Sequence, residues 1–310
     1  MAYMAPTISV IVAAYNAGPT IAATIESVLS QTFSDLELII VDDGSTDETR
    51  NIVSGYERKD GRVKYTWQHN ARVSAARNRG LAISTGKYIS LIDADDLWDE
   101  HKLEKQISSM DSGESTIVLT GIRRFQVIDG RKVWGAVTMP PYIENDRYDV
   151  LRILLLSSFQ MVLINTGLLE KELVQKLGGW NPNMWIAEDW DFWIRASKRC
   201  RFKAIEEPLS YYRKHAESVT RNLDLLVVLD AHKKIIEEQL KQGVITKRDF
   251  KQALIYRQIE SCGFFIYQGE LAKAFHVWRR SLSMKQGWAN RNVWSRGIEV
   301  LRLAVQKMTT

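Results

Sequence analysis

Apolar residues recur along the first hundred positions as short blocks separated by segments with helical periodicity. Ile8 to Ala14 and Leu36 to Val41 are continuous runs rich in β-branched residues, which predicts strands buried on both faces. Val63 to Trp67 and Tyr88 to Ile92 are two shorter runs of the same kind. Between them, apolar residues have the spacing of one helix face, for example over Thr20 to Gln31. This alternation predicts parallel strand–helix–strand units with right-handed crossovers.

The pattern changes in the middle of the chain. Ile117 to Ile128 and Arg131 to Val137 flank Asp129-Gly130, which predicts a β-hairpin. Ser45 and Glu48 have the spacing of a capping box, which predicts that a helix begins there. From about Asn222 the pattern is helical to the end. The remaining segments are predicted as helices over Asp146 to Ser158, Thr166 to Leu177 and Glu188 to Arg199, and as short strands over Phe202 to Ile205 and Leu209 to Arg213.

Composition narrows the class of protein only moderately. The 310 residues are 45% hydrophobic and 25% charged, which is typical of a globular chain with one large domain or two. These values exclude collagen, intrinsic disorder and a disulfide-rich module. Cys200 and Cys262 suit a reducing compartment and are too few for a four-ligand zinc site. The net charge of +5 is compatible with an anionic ligand, a membrane surface or nucleic acid.

Neither a secretory leader nor a transmembrane helix is expected. Residues 1–7 contain no basic segment followed by an apolar one. No stretch reaches the roughly 18 apolar residues that a membrane-spanning helix needs. We therefore expect a cytoplasmic protein.

Acidic residues follow two of the predicted strands, at the sheet edge where ligands bind in parallel α/β folds. Asp93, Asp95 and Asp96 come after the fourth strand, and such close carboxylates repel unless a cation such as Mg²⁺ or Mn²⁺ lies between them. A solvated acidic turn is the alternative. Asp42 and Asp43 come after the second strand, where a carboxylate can accept hydrogen bonds from a nucleotide base or a ribose. Helix capping is the alternative there.

Further along the chain, cationic and acidic residues lie at predicted helix starts and after a strand. Arg77 suits a nearby anionic ligand, unless its helix simply faces solvent. Glu188 and Asp189 open a helix whose dipole favours their ionised form, so that one could act as a general base. Ordinary helix capping would explain them equally. Arg213 and His215 could neutralise phosphate or bind a metal, although a lone histidine is usually structural.

Five stretches in this order resemble the glycosyltransferase family 2 pattern on a GT-A fold. The resemblance spans about Ile8 to His215, and its order and spacing make it specific. It implies an α/β, Rossmann-like, mostly parallel sheet flanked by helices, with a transferase domain over residues 1–221. The helical region predicted over residues 222–310 lies outside the resemblance. The matching stretches are SVIVAAYN, SQTFSDLELIIVDDGSTDET, VSAARNRGLAISTGKYISLIDADDLW, GGWNPNMWIAEDWDFWIRAS and YYRKH.

The resemblance also implies roles for residues on the nucleotide side of the site. Tyr15 and Asp43 would contact the nucleotide base, with Asp42 close by. Asp93 and Asp95 would form the D-x-D motif, in which Asp93 faces the ribose and Asp95 the metal.

On the catalytic side, the resemblance implies that Asp189 is the base and that Glu188 supports it. His215 would complete the metal or diphosphate site. Arg77 and Arg213 are counted among the nucleotide-binding candidates because of their charge and position, not because of the resemblance. One departure is Arg72, two places after Asn70, where the family often has glycine directly after the asparagine.

The implied activity is a metal-dependent, inverting transfer of a sugar from a nucleotide sugar to an acceptor hydroxyl, with Mn²⁺ or Mg²⁺. The donor would be a UDP-, GDP- or dTDP-sugar, and the acceptor a glycan or a lipid-linked molecule in polysaccharide, lipopolysaccharide or other glycoconjugate synthesis. Nucleic acid is not expected as a partner, whereas peripheral association with the inner face of the membrane is compatible with such an acceptor.

Two other classes of protein remain as alternatives. A sugar-1-phosphate nucleotidyltransferase shares this kind of sheet, but it normally has a glycine-rich loop with Arg and Lys after the first strand, where this chain has YNAGPT. A basic membrane-surface or nucleic-acid binding protein could use the C-terminal helices. Their lysines, such as Lys247 and Lys251, alternate with acidic residues as on an ordinary solvated helix face.

Overall fold

The computed structural model describes residues 5–111, 116–140, 147–156, 164–215, 225–267 and 270–282, together with residues 298 and 302. The chain divides into two compact units, one comprising Met1–Leu151 and Phe159–Ser218, the other comprising Arg152–Ser158 and Val219–Thr310. The predicted boundary between residues 221 and 222 lies outside the described residues. The assignment of separate transferase and helical domains therefore stays a prediction.

The first unit begins with the alternating strands and helices that the sequence predicts. Strands β1 to β4 lie side by side in the order β3-β2-β1-β4, and all of their pairings are parallel. β1 and β2 are buried almost throughout, as their unbroken apolar runs indicate. The elements are β1 Ile8–Ala14, α1 Ile21–Leu29, β2 Leu36–Asp42, α2 Thr49–Glu57, β3 Val63–Trp67, α3 Arg72–Ile83 and β4 Tyr88–Leu91.

The rest of the first unit extends this sheet with strands of both directions. β8 pairs antiparallel with β4 and β6, β7 pairs antiparallel with β6, and β9 pairs parallel with β6 and antiparallel with β5. The fold class is confirmed, and the sheet as described is mixed. The elements are β5 Leu97–Trp98, α4 Lys102–Ser108, β6 Thr116–Ile128, β7 Arg131–Thr138, α5 Arg147–Leu156, β8 Gly167–Glu170, α6 Lys171–Lys176, α7 Glu188–Ser197 and β9 Arg201–Arg213. Helix α5 belongs to the first unit only as far as Leu151, and its remaining residues belong to the second.

Two of the predicted elements are wrong. Gly167–Glu170, predicted as the start of a helix, is strand β8 in the centre of the sheet between β4 and β6. Its apolar run is too short for periodicity to distinguish strand from helix. Phe202 to Ile205 and Leu209 to Arg213 are parts of the one strand β9, whose pairing with β6 shifts between Thr120 and Ile122.

The capping box at Ser45 is also wrong. Helix α2 begins only at Thr49, and its preceding residue Glu48 makes no side-chain cap. The Ser45 hydroxyl instead accepts a hydrogen bond from the Asn16 amide at 3.0 Å. Asp47 accepts one from the Thr49 amide, also at 3.0 Å. Residues 45–48 therefore form a turn that joins the loops after β1 and β2.

An aromatic cluster packs the helix that carries the predicted base. Trp180 stacks on Phe192 with ring centres 4.8 Å apart, and Phe192 meets Trp193 edge-on at 5.4 Å. Trp180, Trp190 and Trp193 are buried, as expected for core residues, whereas Trp185 is half exposed. Trp185 is thus available to a ligand in a way that the other three are not.

The second unit contains three of the predicted C-terminal helices, α8 Leu225–Lys241, α9 Lys247–Tyr267 and α10 Leu271–Leu282. Cys262, Phe265, Ala274 and Val277 form a small buried core between α9 and α10. In the part of the chain that the structure describes, no helix combines the length and the apolar character needed to cross a membrane.

Two helical glycines should respond in opposite ways to alanine. In α3, a Cβ at Gly80 would lie 2.4 Å from Ile11 Cγ2 in the buried face of β1, whereas a Cβ at Gly55 in α2 would meet no atom within 4 Å. We expect Gly80→Ala to lower the free energy of unfolding by ~1–3 kcal/mol through overpacking. Gly55→Ala should raise it by about 0.5–1 kcal/mol through helix propensity.

Urea unfolding followed by circular dichroism measures both changes. Equal stabilisation by the two substitutions would show that α3 and β1 are not packed as closely as described.

Candidate active site

The loops after β1 and β2 form one end of the candidate site. Tyr15 directly follows β1 and is 55% exposed. Asp42 ends β2, is fully buried, and has both carboxylate oxygens engaged, with the Ser45 amide at 2.8 Å and the Tyr65 hydroxyl at 2.7 Å. Asp42 therefore holds the loop in place through both of its carboxylate oxygens.

Asp43 has a different environment. One oxygen accepts hydrogen bonds from the Gln68 side chain at 2.7 Å and from the Ala71 amide at 2.8 Å. These bonds connect the β2 end to the start of α3. Gly44 allows this closeness, because its φ is +83° and a Cβ there would lie 2.9 Å from the Asn70 nitrogen.

The three aspartates that follow β4 have different environments. Asp96 is fully buried and accepts hydrogen bonds from the Arg213 amide at 2.9 Å and from the Asn165 side chain. Burial, together with the nearby Asp95 and Asp93 charges, raises the pKa of Asp96 well above its usual range. Asp96 is therefore a structural link to β9, whereas the side chains of Asp93 and Asp95 are 40% and 33% exposed.

The end of β9 brings two predicted residues to this segment. His215 Nε2 lies 2.8 Å from an oxygen of Asp95. Arg213 donates from Nε to the Asp95 carbonyl at 2.7 Å, and its guanidinium lies 4.8 Å above the Phe125 ring. Burial lowers the pKa of Arg213, and the Asp95 and Asp96 charges oppose that effect. The structure thus joins two motifs that are about 120 residues apart in the chain.

Helix α7 begins with the predicted catalytic acids. The preceding residue, Ala187, has a left-handed backbone with φ +59°, which is strained for a residue with a Cβ. The turn places Glu188 and Asp189 in the first turn of α7, where the helix dipole attracts negative charge. One oxygen of Asp189 accepts a hydrogen bond from the Trp190 amide at 2.8 Å.

Arg77 connects the two acidic segments. Its side chain is only 5% exposed and donates to Asp93 at 3.1 Å and to Glu188 at 3.0 Å. Burial opposes the charged form, but the charges of Asp93, Glu188 and Asp189 outweigh burial and raise the pKa of Arg77. Because the guanidinium serves both carboxylates, it fixes the distance between the β4 end and the α7 start.

The environment of Asp189 differs from that of its neighbours. Burial and the adjacent Glu188 charge raise the pKa of Asp189 to about 7, although Arg77 opposes the increase. A carboxylate with this pKa takes up and releases protons near neutral pH, which is the property a general base needs. Its place at the helix start and its pKa are both compatible with the predicted role.

Two features of the site were not predicted. Asn78 accepts a hydrogen bond from the Trp180 amide at 2.8 Å and donates to the Trp180 carbonyl at 2.7 Å. Gly179, with φ +67°, permits this contact, since a Cβ there would lie 2.3 Å from Asn78 Oδ1. The Gly178-Gly179 pair was the available sequence signal for a tight approach. Arg72, which departs from the family pattern, has φ +73° and stacks over Trp185 at 6.0 Å.

The residues at Asp95 fit a divalent cation that shares its ligands with phosphate. Among the described residues there is no group of three or more His, Cys, Asp or Glu side chains that could hold a metal alone. Magnesium-type sites commonly use one or two carboxylates and complete their shell with water and substrate phosphate oxygens. Asp95 and His215 are adjacent, partly exposed and chemically suitable for such a site.

Comparison with known proteins gives the family. The model of glycosyl transferase family 2 matches residues 9–169. A β-1,3-glucosyltransferase of Escherichia coli, WfaP, which acts from UDP-Glc on α-D-GlcNAc-diphosphoundecaprenol, is 32% identical over 69% of this chain and 80% of its own. The chain belongs to glycosyl transferase family 2, and it is a glycosyltransferase.

Further relatives agree with this assignment. TuaG of Bacillus subtilis, whose name places it in teichuronic acid biosynthesis, is 31% identical over 70% of this chain and 82% of its own. An uncharacterised glycosyltransferase of Nostoc is 32% identical, and the match covers 67% of this chain and 65% of that protein. The match therefore spans 65% to 82% of the length of these three relatives.

Solved structures give the fold. TarS of S. aureus, residues 1–349 in complex with UDP, is similar with a TM-score of 0.64, 19% identity and coverage of 98% of this chain and 92% of that one. A mannosyltransferase of Pyrobaculum calidifontis with GDP-Man and Mn²⁺ has a TM-score of 0.58, 16% identity and coverage of 98% and 88%. The fold is therefore GT-A with a helical C-terminal region.

Removal of the Arg77 charge should destabilise the site strongly. We expect Arg77→Met to lower the free energy of unfolding by about 3–5 kcal/mol, because Asp93 and Glu188 lose their buried counter-charge. The loss should shrink as the pH falls from 8 toward 5, since protonation of Asp189, whose pKa is raised to about 7 by burial and the Glu188 charge, then removes one of the acidic charges that Arg77 compensates. Thermal unfolding at several pH values measures it.

Arg79→Met is the matched control, because Arg79 lies on the same helix, is exposed and, within the described residues, donates to the Thr66 hydroxyl and not to a carboxylate. If the two substitutions cost the same stability at every pH, Arg77 does not hold the acidic segments together.

Proposed function

We propose that this glycosyltransferase moves a sugar from a nucleotide sugar to an acceptor hydroxyl with inversion at the anomeric carbon, in a reaction that depends on a divalent metal. The observation that carries the proposal is the Arg77 bridge. It connects Asp93, on the predicted donor side, to Glu188, which adjoins the predicted base Asp189. One buried cation thus aligns the two halves of a displacement reaction.

The donor side rests on residues at the strand ends. Tyr15 is exposed and Asp43 is fixed by Gln68 and Ala71, so both suit contacts with the nucleotide base. Asp42 stabilises this loop through its hydrogen bonds with Ser45 and Tyr65. Asp93 has the exposure that a ribose contact requires. Arg213, held beside Asp95, adds positive charge near the place proposed for the diphosphate.

Asp95 and His215 would hold the metal. Bound there, Mn²⁺ or Mg²⁺ would neutralise the charge that develops on the departing nucleoside diphosphate. Their mutual contact of 2.8 Å places the two candidate ligand atoms next to each other, and a bound metal would replace this hydrogen bond. Two protein ligands leave coordination positions for diphosphate oxygens.

Asp189 is proposed as the general base. It accepts the proton of the acceptor hydroxyl while that oxygen forms a bond to the anomeric carbon. The bond from this carbon to the diphosphate oxygen breaks at the same time, so the configuration inverts. Glu188 keeps the pKa of Asp189 high, and Arg77 prevents it from rising further.

The substrate class follows from the relatives. WfaP uses UDP-Glc and a diphosphoundecaprenol-linked acceptor, and the similar TarS and Pyrobaculum structures hold UDP and GDP-Man. We infer a nucleotide-sugar donor, an acceptor that is a glycan or a lipid-linked glycan, and a role in surface polysaccharide synthesis. Such an acceptor favours a position at the inner face of the membrane, with residues 1–221 as the transferase domain.

Asp189→Asn should separate binding from turnover. We expect kcat to fall by ~10²–10⁴-fold, the usual contribution of a general base. Affinity for the nucleoside diphosphate should not change, because the base faces the acceptor. In the unsubstituted protein, kcat/KM should fall as the pH drops below about 7, where Asp189 becomes protonated. A coupled assay of nucleoside diphosphate release measures turnover.

The same substitution has an expected effect on stability. Because the pKa of Asp189 in the folded protein is raised to about 7, its ionisation lowers the free energy of unfolding above pH 7. Below the ordinary pKa range of aspartate, the side chain is protonated in both the folded and the unfolded state, and this cost is absent. Asp189→Asn should therefore raise the thermal midpoint at pH 8 and have little effect near pH 4. Retained turnover, or a lower midpoint at pH 8, would remove Asp189 from the proposed role.

Asp95→Ala should abolish the metal dependence of nucleotide binding. Calorimetry with UDP, GDP and dTDP, with and without Mn²⁺, identifies the base and measures the dependence. We expect the gain in affinity from Mn²⁺ to disappear. This loss should exceed the ~10–100-fold that is typical when only a hydrogen-bond partner of a metal ligand is removed. Affinity without metal should be kept.

Glu172→Gln is the control, because Glu172 forms an exposed ion pair with Lys176 within α6. A variant at Asp95 that still gains affinity from Mn²⁺ would contradict the metal assignment. Pyrophosphate release from a nucleoside triphosphate would indicate the nucleotidyltransferase chemistry instead.

A further inference from the structure

The hairpin of β6 and β7 extends beyond the body of the sheet. The last β6 residue that pairs with β9 is Phe125, opposite Arg213. From there, β6 and β7 pair only with each other among the described strands, through Gln126–Val133, Val127–Lys132 and Ile128–Arg131. We refer to residues 126–134 as the distal hairpin. Every residue in it is exposed.

The distal hairpin is unusually apolar for an exposed segment. Val127, Ile128, Val133 and Trp134 are each 40–50% exposed. An isolated two-stranded hairpin is only marginally stable in water. Contiguous exposed apolar residues of this kind mark a surface that binds something.

Both faces of the distal hairpin carry an exposed apolar residue beside a basic one. Cross-strand partners share a face, so Val127 lies with Lys132 on one side and Ile128 with Arg131 on the other. A flat protein partner would cover one face and leave the second in water. An interface that surrounds the hairpin on both sides, such as the headgroup region of a bilayer, accounts for both.

The charges favour an anionic surface. Arg131 and Lys132 flank the turn, and Arg123 lies 4.8 Å from the Trp134 ring. In the described part of the chain, none of these three cations has a carboxylate within ion-pair distance. Basic residues next to an apolar insertion attract anionic lipids, and tryptophan prefers the interface between headgroups and acyl chains.

The base of the hairpin reaches the candidate active site. Phe125 is buried, with the Trp134 ring 5.7 Å away and the Arg213 guanidinium 4.8 Å away. Arg213 in turn donates to the Asp95 carbonyl. The distal hairpin is therefore connected to the candidate site through Phe125 and Arg213.

We propose that the distal hairpin inserts into the headgroup region of an anionic lipid bilayer and holds the active site at the membrane surface. Val127, Ile128, Val133 and Trp134 supply the apolar contact, and Arg131 and Lys132 the attraction to lipid phosphates. This inference rests on the proposed function for its purpose, a lipid-linked acceptor, but the surface itself is argued from the hairpin alone.

Vesicle sedimentation tests the proposal with the full chain. The protein should sediment with vesicles of phosphatidylglycerol and phosphatidylcholine and not with phosphatidylcholine alone. The double substitution Arg131→Glu, Lys132→Glu should lower the partition coefficient by more than about 30-fold, because it removes two attractions to anionic lipid and adds two repulsions. Val127→Ser with Ile128→Ser should lower it while keeping the preference for anionic vesicles. Both variants should unfold at the temperature of the unsubstituted protein, because these side chains are exposed.

The matched control is Lys247→Glu with Lys251→Glu, which reverses two exposed cations on α9 in the other unit. It should sediment like the unsubstituted protein. Loss of sedimentation in this control with retention in the hairpin variants would overturn the proposal and favour the C-terminal helices. Failure of the unsubstituted protein to sediment with anionic vesicles would also overturn it.

Two further measurements keep the conclusions separate. Analytical ultracentrifugation without lipid would overturn the proposal if the chain formed a dimer that the hairpin variants abolish, since β7 would then pair with a second copy.

Nucleoside diphosphate affinity of the hairpin variants in lipid-free buffer should equal that of the unsubstituted protein. If neither the unsubstituted protein nor the variants bound nucleotide, but the unsubstituted protein bound anionic vesicles, the proposed function would fail and the proposed membrane surface would stand.

Discussion

The arrangement of the site depends on one buried positive charge. A guanidinium that is almost fully removed from water is tolerated only if its hydrogen bonds and its charge are compensated. Asp93 and Glu188 provide this compensation for Arg77, and Asp189 adds to it. The requirement works in both directions, because three acidic side chains so close together would repel without the arginine. Arg77 therefore ties the end of β4 and the start of α7 to α3.

Much of the fold could be predicted because its signals are local. The continuous apolar runs of β1 and β2 and the Asp129-Gly130 turn each depend on neighbours in sequence, and the corresponding elements are confirmed. The failures concern non-local effects. Gly167–Glu170 is a strand because β4 and β6 lie on either side of it, and Ser45 binds Asn16 of another loop instead of capping α2. No periodicity within these segments contains that information.

The residues of the candidate site could also be predicted from local signals, but their individual roles could not. The sequence indicates which residues carry the chemistry, since acidic residues at strand ends and helix starts follow general rules. It does not distinguish an acid that serves the fold from one that faces a ligand. Asp42 and Asp96 are fully buried and hydrogen-bonded within the protein, whereas Asp93 and Asp95 are partly exposed. That division arises from Tyr65, Asn165 and Arg213, whose proximity is set by the folded chain.

Helix α3 also determines when the site can come into existence during folding. Arg77 and Asn78 bind partners that follow them by 111 and 102 residues, at Glu188 and Trp180. The entropy of closing so long a loop must be lost before these contacts return any energy. On a ribosome, the βα units of the first hundred residues emerge well before their partners in α7. Arg77 can therefore pair with Asp93, which follows it by 16 residues, well before Glu188 is available, and its bridge to the second acidic segment forms only after α7 has emerged.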